Sequence, residues 1–125
     1  MSTPRTVLIF GNARDLIQTR QMVLEYAGFD VDVASSLQQV TDLLTSRPFD
    51  LFILCHSLSP HDCEEGLSRA HSLRPGMKNL ILSSVFSECK GGPQDVSLGA
   101  FIDPKTLIAT VTELKGFAAA VPGKA

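Results

Sequence analysis

The hydrophobic positions of this chain fall into short apolar runs that alternate with longer amphipathic stretches. Three runs, Thr6–Phe10, Leu51–Leu54 and Leu80–Leu82, are almost unbroken, which is typical of strands covered on both faces in a parallel sheet. Phe29–Ala34 alternates valine with aspartate, so one face is wetted and we predict an edge strand. Ala100–Ile102 is predicted as a brief last strand.

The stretches between these runs carry apolar residues at helical spacing and begin or end at capping residues. In the first helix, the inward stripe is predicted to hold Leu16, Ile17, Val23, Leu24 and Ala27. The predicted helices are Asp15–Ala27, stopped by Gly28; a second after Ser35 or Ser36, closed by Pro48; a third from Ser59 to Pro75–Gly76; and a last one from Asp103–Pro104 to Gly116.

Strands that alternate with helices predict an α/β protein with a doubly wound, five-stranded parallel sheet in the order 2-1-3-4-5. The stretch between the fourth and fifth strands contains Gly91–Gly92–Pro93, so we expect a short or irregular fourth helix. In such sheets ligands bind beyond the carboxyl ends of the strands, between the first and third. Gly11, Asn12 and Cys55 therefore occupy the expected functional position.

Two segments carry a family resemblance: VLIFGNARDLIQTRQMVLEYAGFDVDVASS and RPFDLFILCHSLSP. In pattern and order they are similar to CheY-like response-regulator receiver domains, and the similarity continues to about residue 115. The resemblance implies a flavodoxin-like fold. We predict one receiver-like domain over residues 5–116. The residues after Gly116 are predicted to form a flexible C-terminal tail over 117–125.

Receivers hold magnesium with an acidic pair after the first strand and accept a phosphoryl group on an aspartate after the third. The resemblance places Gly11 and Asn12 at the acidic pair and Cys55 at the acceptor. Gly11 offers only backbone and Asn12 only a neutral amide, whereas magnesium is usually bound through carboxylates. A thiolate is a soft ligand. We therefore expect no aspartyl phosphate, no bound metal and no other cofactor.

The resemblance also assigns the other positions of a receiver site. Ser83 matches a hydroxyl residue that contacts the phosphoryl group, and Phe101 matches an aromatic switch residue, with a simple core role as the alternative. The family's lysine precedes a proline, whereas Asp103 precedes Pro104 here and Lys105 follows it. The acidic side chain of Asp103 would repel a phosphoryl group. The alternative interpretation of Asp103 is that it caps the last helix.

Cys55 also allows a reactive-thiol interpretation, because a helix N-terminus can lower a thiol pKa. The competing interpretation is a small buried hydrophobe that fills an emptied pocket. A zinc site is a weaker alternative, because the spacing of its four possible ligands matches no common zinc pattern. These ligands would be Cys55, His56, His61 and Cys63.

Charge, apolar run length and cysteine content exclude several classes of function. A net charge of −2 gives no basic field for nucleic acid or anionic lipid, and no apolar run spans a membrane. Three irregularly spaced cysteines and no signal peptide favour reduced thiols and a cytoplasmic location.

We therefore predict a stand-alone pseudo-receiver that is not an enzyme: a phosphorylation-independent interaction module of two-component phosphorelay signalling. Its partner would be a histidine kinase, a response regulator or an output protein, and it would be a monomer or weak homodimer. The resemblance implies a contact surface on the fourth helix, fifth strand and fifth helix, with a shape altered by Gly91–Gly92–Pro93. The alternative is the first-helix face near Arg14, Gln18 and Gln21. Two alternatives are a thiol-based redox sensor or catalyst using Cys55, and an atypical receiver that still responds to phosphodonors.

Overall fold

The computed structural model describes residues 6–83, 95–99 and 103–112 of the chain. Five parallel strands form one sheet in the order β2-β1-β3-β4-β5, which confirms the predicted topology. The strands are β1 Thr6–Phe10, β2 Asp30–Ala34, β3 Leu51–Leu54, β4 Lys78–Ser83 and β5 Val96–Gly99. The helices are α1 Arg14–Tyr26, α2 Leu37–Ser46 and α3 Pro60–Leu73, and residues 104–112 belong to the last helix.

The core has two halves because successive strand residues point to opposite faces of the sheet. Ile9 and Ile53 face α1 and the last helix, where Leu24 and Val111 pack against them. On the other face, residues such as Phe10 and Leu54 pack against α2 and α3. The residues of β3 are all buried, and those of β1 are buried from Val7 onward. This two-sided burial explains their apolar sequences.

The edge strand β2 carries charged residues on its wetted face. Arg47 forms ion pairs with Asp30, at 3.2 Å, and with Asp32. Exposed pairs of this kind contribute at most about 1 kcal/mol to stability. Their charges instead discourage pairing of this edge with another strand.

Gly28 ends α1 through a backbone conformation that suits glycine, with φ at +100°. The Gly28 amide donates to the Glu25 carbonyl at 3.0 Å, and the Phe29 amide donates to the Leu24 carbonyl at 3.0 Å. This is the Schellman arrangement, and the buried Phe29 packs in the same core cluster as Leu24. The predicted helix stop is confirmed.

Serine hydroxyls cap the next two helices. The Gln39 amide donates to Ser36 Oγ at 3.2 Å, so Ser36, and not Ser35, caps α2. The Asp62 amide donates to Ser59 Oγ at 3.1 Å, and Pro60 occupies the first turn of α3. No helix among the described residues is long and apolar enough to cross a membrane.

The last strand differs from its prediction. β5 runs over Val96–Gly99, earlier than the predicted Ala100–Ile102, whose residues lie outside the described part. Val96 and Leu98 are half-buried against the core while the residues between and after them are exposed, as expected of an edge strand. The predicted irregular fourth helix falls mostly within residues 84–94 and the predicted tail within 113–125, which also lie outside the described residues.

A buried polar cluster connects α3, β4 and the start of β5. The Asp95 side chain has no solvent exposure, and its Oδ1 lies 3.1 Å from His71 Nε2. Asn79 Nδ2 donates to the same oxygen at 2.9 Å. Buried carboxylates are stable only with such partners. The cluster therefore anchors the amino end of β5 to its neighbours.

Replacing Asp95 by alanine is expected to lower the free energy of unfolding by about 1–3 kcal/mol, because the buried Asn79 amide loses its acceptor. Urea denaturation of the variant measures this loss. Asp42→Ala is the matched control, since Asp42 is exposed and should change stability by less than about 0.5 kcal/mol. Equal effects of the two substitutions would contradict an anchoring role.

Candidate functional site

The candidate site lies at the carboxyl ends of β1 and β3. Gly11 directly follows β1 and Cys55 directly follows β3, and the last residues of these strands, Phe10 and Leu54, are paired. The Cys55 amide donates to the Phe10 carbonyl at 2.9 Å, and the Gly11 amide donates to the Ala34 carbonyl at 3.1 Å. The structure therefore brings Gly11 and Cys55 together at the switch point of the sheet.

Gly11 is packed so tightly that a side chain has no room there. A Cβ atom built on Gly11 would lie 2.9 Å from Cys55 Cβ, 3.0 Å from Ile17 Cδ1 and 3.2 Å from Cys55 Sγ. A contact below 3.0 Å with a Cβ atom requires the backbone to shift. Gly11 and Cys55 thus fit each other, and the space in which a carboxylate would stand beside β1 is filled.

Cys55 is buried among these groups, with 2% of its surface exposed. Burial raises the pKa of its thiol, and the charge and hydrogen bond of Arg20 oppose this only in part. A neutral, inaccessible thiol is neither a nucleophile nor a redox centre. The structure gives no support to the thiol-based alternative and favours a space-filling role.

Arg20 is the site residue that the sequence did not reveal. Its side chain comes from the buried face of α1, hydrogen-bonds the Cys55 side chain, and leaves the residue only 8% exposed. The predicted inward stripe was wrong at Leu16, which is 37% exposed. Because Ile17, Arg20 and Leu24 are spaced by three and four residues, helical periodicity alone could have placed Arg20 inward.

The Arg20 charge also acts on His56, the residue after Cys55. Burial lowers the pKa of His56, and the positive charge of Arg20 lowers it further. The folded protein therefore binds fewer protons than the unfolded chain as the pH falls through the ordinary histidine range. The free energy of unfolding is therefore expected to decrease as the pH falls through that range.

Arg20→Met is expected to raise the pKa of His56 towards its ordinary value, because the opposing charge is removed while burial persists. An NMR titration of the His56 ring measures the change. Arg14→Met, which removes a charge from the exposed face of the same helix, should leave the His56 titration unchanged. A His56 pKa unchanged by Arg20→Met would contradict the placement of the guanidinium.

Two other predicted site residues, Asn12 and Ser83, lie at or just after the carboxyl ends of β1 and β4. Asn12 is exposed, and its amide lies 3.4 Å from Ser57 Oγ. The backbone of Ser83 ends β4 beside Gly99. Phe101 lies outside the described residues.

Asp103 is exposed at the start of the last helix. The Thr106 amide donates to its carboxylate at 3.2 Å and the Thr106 hydroxyl at 2.6 Å. Both hydrogen bonds lower the pKa of Asp103, and the bond from the Thr106 hydroxyl has the larger effect. Asp103 therefore serves as a helix cap, as its alternative interpretation predicted.

Cys63 is 3% exposed on α3 and is disulfide-bonded. The expectation of reduced thiols is therefore wrong for Cys63, because sequence spacing does not reveal which cysteines meet in the fold. The disulfide also removes a thiolate from the possible zinc set. Within the described ranges, no group of three or more His, Cys, Asp or Glu residues could hold a metal ion.

Gly11 and Cys55 offer no carboxylate side chain to a magnesium ion. Gly11 has no side chain and no space for one, and Cys55 presents a buried, neutral thiol. Arg20 places a fixed positive charge next to that thiol, which would repel a divalent cation. The carboxylates through which magnesium is usually bound are absent from this pair of positions.

Comparison with solved structures identifies the fold. The chain aligns with a CheY-like receiver domain protein from Methanospirillum hungatei JF-1 at 19% identity and a TM-score of 0.79, covering 94% of this chain and 98% of that one. It aligns with the signal receiver domain of an HD domain-containing protein from Pseudomonas fluorescens Pf-5 at 19% identity and a TM-score of 0.81, covering 94% and 99%.

A third structure is the receiver domain of a sensor histidine kinase from Pseudomonas aeruginosa PAO1, with a magnesium ion coordinated in its active-site cleft. It matches at 12% identity and a TM-score of 0.79, covering 91% of this chain and 99% of that one. Neither a scan against protein-family models nor a search of curated proteins found a match. The chain has the fold of CheY-like response-regulator receiver domains.

Proposed function

We propose that this chain is a receiver-fold interaction module of two-component phosphorelay signalling that works without phosphorylation of its own pocket and is not an enzyme. The observation that carries the proposal is the packing of Gly11 against Cys55, with no room for another side chain. A receiver pocket that cannot hold magnesium or a phosphoryl group still presents the surface of the fold to a partner. Output would therefore depend on binding alone.

Arg20 supports a pocket held in a single state. In a receiver, metal and phosphoryl group bring charge into the pocket and remove it again, and this exchange drives switching. Here the positive charge belongs to the chain itself, and Arg20 hydrogen-bonds the Cys55 side chain. Without differential binding of a ligand to two states, the conformational equilibrium does not shift.

The proposed partner is another signalling protein: a histidine kinase, a response regulator or an output protein. We also propose a cytoplasmic location and a monomeric or weakly dimeric state. Arg14, Gln18 and Gln21 line one exposed side of α1 and supply hydrogen-bonding groups for such a contact.

Incubation with acetyl phosphate and magnesium, followed by intact-mass measurement, tests the proposal. We expect no addition of a phosphoryl group, under conditions in which an ordinary receiver is labelled. Cys55→Asp should also stay unlabelled, because Gly11 and Asn12 still provide no carboxylate for magnesium. Acid-stable or acid-labile phosphorylation of the unmodified chain that required magnesium would refute the proposal.

A further inference from the structure

A concave site lies between α1 and the carboxyl ends of β1 and β2. It is next to the filled pocket, by which we mean the packed Gly11, Cys55 and Arg20. Its volume is about 560 Å³, within the range of small-molecule sites. Cys55 and Arg20 do not line it. The lining residues are Gly11, Asn12, Arg14, Ile17, Gln18, Gln21, Val33 and Ser35.

The polar side chains of this pocket favour a negatively charged guest. Arg14 provides a positive charge, and none of the lining residues is acidic. Within the described part of the chain, the side chains of Asn12, Arg14 and Gln18 have no hydrogen-bond or ion-pair partner. They are therefore available to a ligand without breaking an existing contact. Guanidinium groups bind carboxylates and phosphates through paired hydrogen bonds.

The floor of the pocket is apolar, because Ile17 is buried and Val33 is half-buried there. Ser35 closes the β2 side, where its hydroxyl donates to Gln39 Oε1 at 3.0 Å and keeps its lone pairs for another donor. Sites with an apolar floor and a few convergent polar groups are typical of small-molecule binding. A bare inorganic ion would leave this floor uncovered.

We propose that this pocket binds a small organic anion, with its carboxylate or phosphate on Arg14, its polar edge on Asn12 and Gln18, and its apolar part against Ile17 and Val33. This goes beyond the proposed interaction function, since it adds a ligand site to the module. Gly11 and Ile17 line the pocket and also define the tight packing around Cys55. A bound ligand would thus contact two of the residues that pack around Cys55.

Amide NMR titration of the complete chain with benzoate tests the proposal. Saturable shifts are expected at Asn12, Arg14 and Gln18, and benzamide, the neutral analogue, should bind at least about tenfold more weakly because it lacks the charge-assisted contact. Arg14→Gln should weaken benzoate binding by about tenfold or more. Arg47→Gln, which removes an equal charge at the opposite end of β2, should leave binding unchanged.

The outcomes separate the possible ligand classes. Tighter binding of phenyl phosphate than of benzoate at the same residues supports the site and assigns it to phosphate esters, whereas the reverse assigns it to carboxylates. No saturable shift with either anion, or equal binding by the wild type and Arg14→Gln, would overturn the proposal. Inorganic phosphate that binds as tightly as phenyl phosphate would also overturn it, because the apolar floor would then contribute nothing. None of these results affects the phosphodonor test, so the two proposals fail separately.

Discussion

Gly11→Asp is expected to lower the free energy of unfolding by more than about 3 kcal/mol, because it combines overpacking with the burial of a charge. The new Cβ would stand 2.9 Å from Cys55 Cβ and 3.0 Å from Ile17 Cδ1. The Ile17 methyl group can rotate away, but a Cβ atom moves only with its backbone. An acid here, where the resemblance places one of the acidic pair, is therefore expected to damage the fold before it could hold a metal.

Gly11→Ala separates the steric part of this loss, which should be about 1–3 kcal/mol by urea denaturation. Gly76→Ala is the matched control: nothing lies within 4 Å of its Cβ position, and its change should stay within about 0.5 kcal/mol. In a Cys55→Gly background, Gly11→Ala should lose most of its effect. If Gly11→Ala is as mild as Gly76→Ala, the pocket is not filled as described.

The second large effect concerns Cys55 and Arg20 together. Cys55→Asp is expected to be tolerated better than its burial suggests, because Arg20 contacts this position and can pair with the new carboxylate. When Arg20→Met is added, the carboxylate is left uncompensated in a site that is 2% exposed. Breaking a buried ion pair in this way costs about 3–5 kcal/mol.

Cys55→Asn supplies the neutral, equally shaped control, so the charge coupling is the difference between the Asp and Asn variants with and without Arg20. We expect the uncompensated carboxyl to have a raised pKa, so its penalty should be present near neutral pH. It should shrink as the pH falls towards about 4, the ordinary aspartate value. Equal stability losses in the two backgrounds would show that Arg20 does not act on position 55.

The central strands and their order could be predicted because the burial of each strand is recorded in its own residues. β3 is apolar throughout and β1 is apolar from Val7 onward, since helices cover both of their faces. β2 alternates because one of its faces is wet. These local patterns, with right-handed crossovers, leave few topologies. The meeting of Gly11 and Cys55 then follows from the parallel pairing of β1 with β3.

The features that were missed depend on contacts between distant residues. Arg20 is charged, so the sequence pattern did not assign it to the core. Its partner Cys55 is 35 positions away in the chain, so no local pattern indicated their contact. β5 is a half-buried edge strand that contains a serine and a glycine. Its sequence therefore predicts a strand less strongly than the apolar triplet that follows it. The disulfide of Cys63 likewise depends on tertiary proximity, which spacing does not encode.

On the proposed function, the packing of Gly11 against Cys55 alters the signalling chemistry while the receiver fold is kept. The Gly11–Cys55 contact and the Arg20 charge occupy the sheet end where the resemblance places metal and acceptor groups. The neighbouring pocket on α1 keeps its side chains available. A module of this kind would receive its input as a bound ligand or partner rather than as a phosphoryl group.

The most direct test is an amide NMR spectrum recorded with and without magnesium and beryllofluoride, a mimic of an aspartyl phosphate. If the pocket is filled as described, the resonances of Gly11, Asn12, Cys55 and Ser83 stay in place. Saturable shifts at these residues that spread to the last strand and helix would contradict the account. Such a result would mean that the pocket still binds a phosphoryl group and still switches.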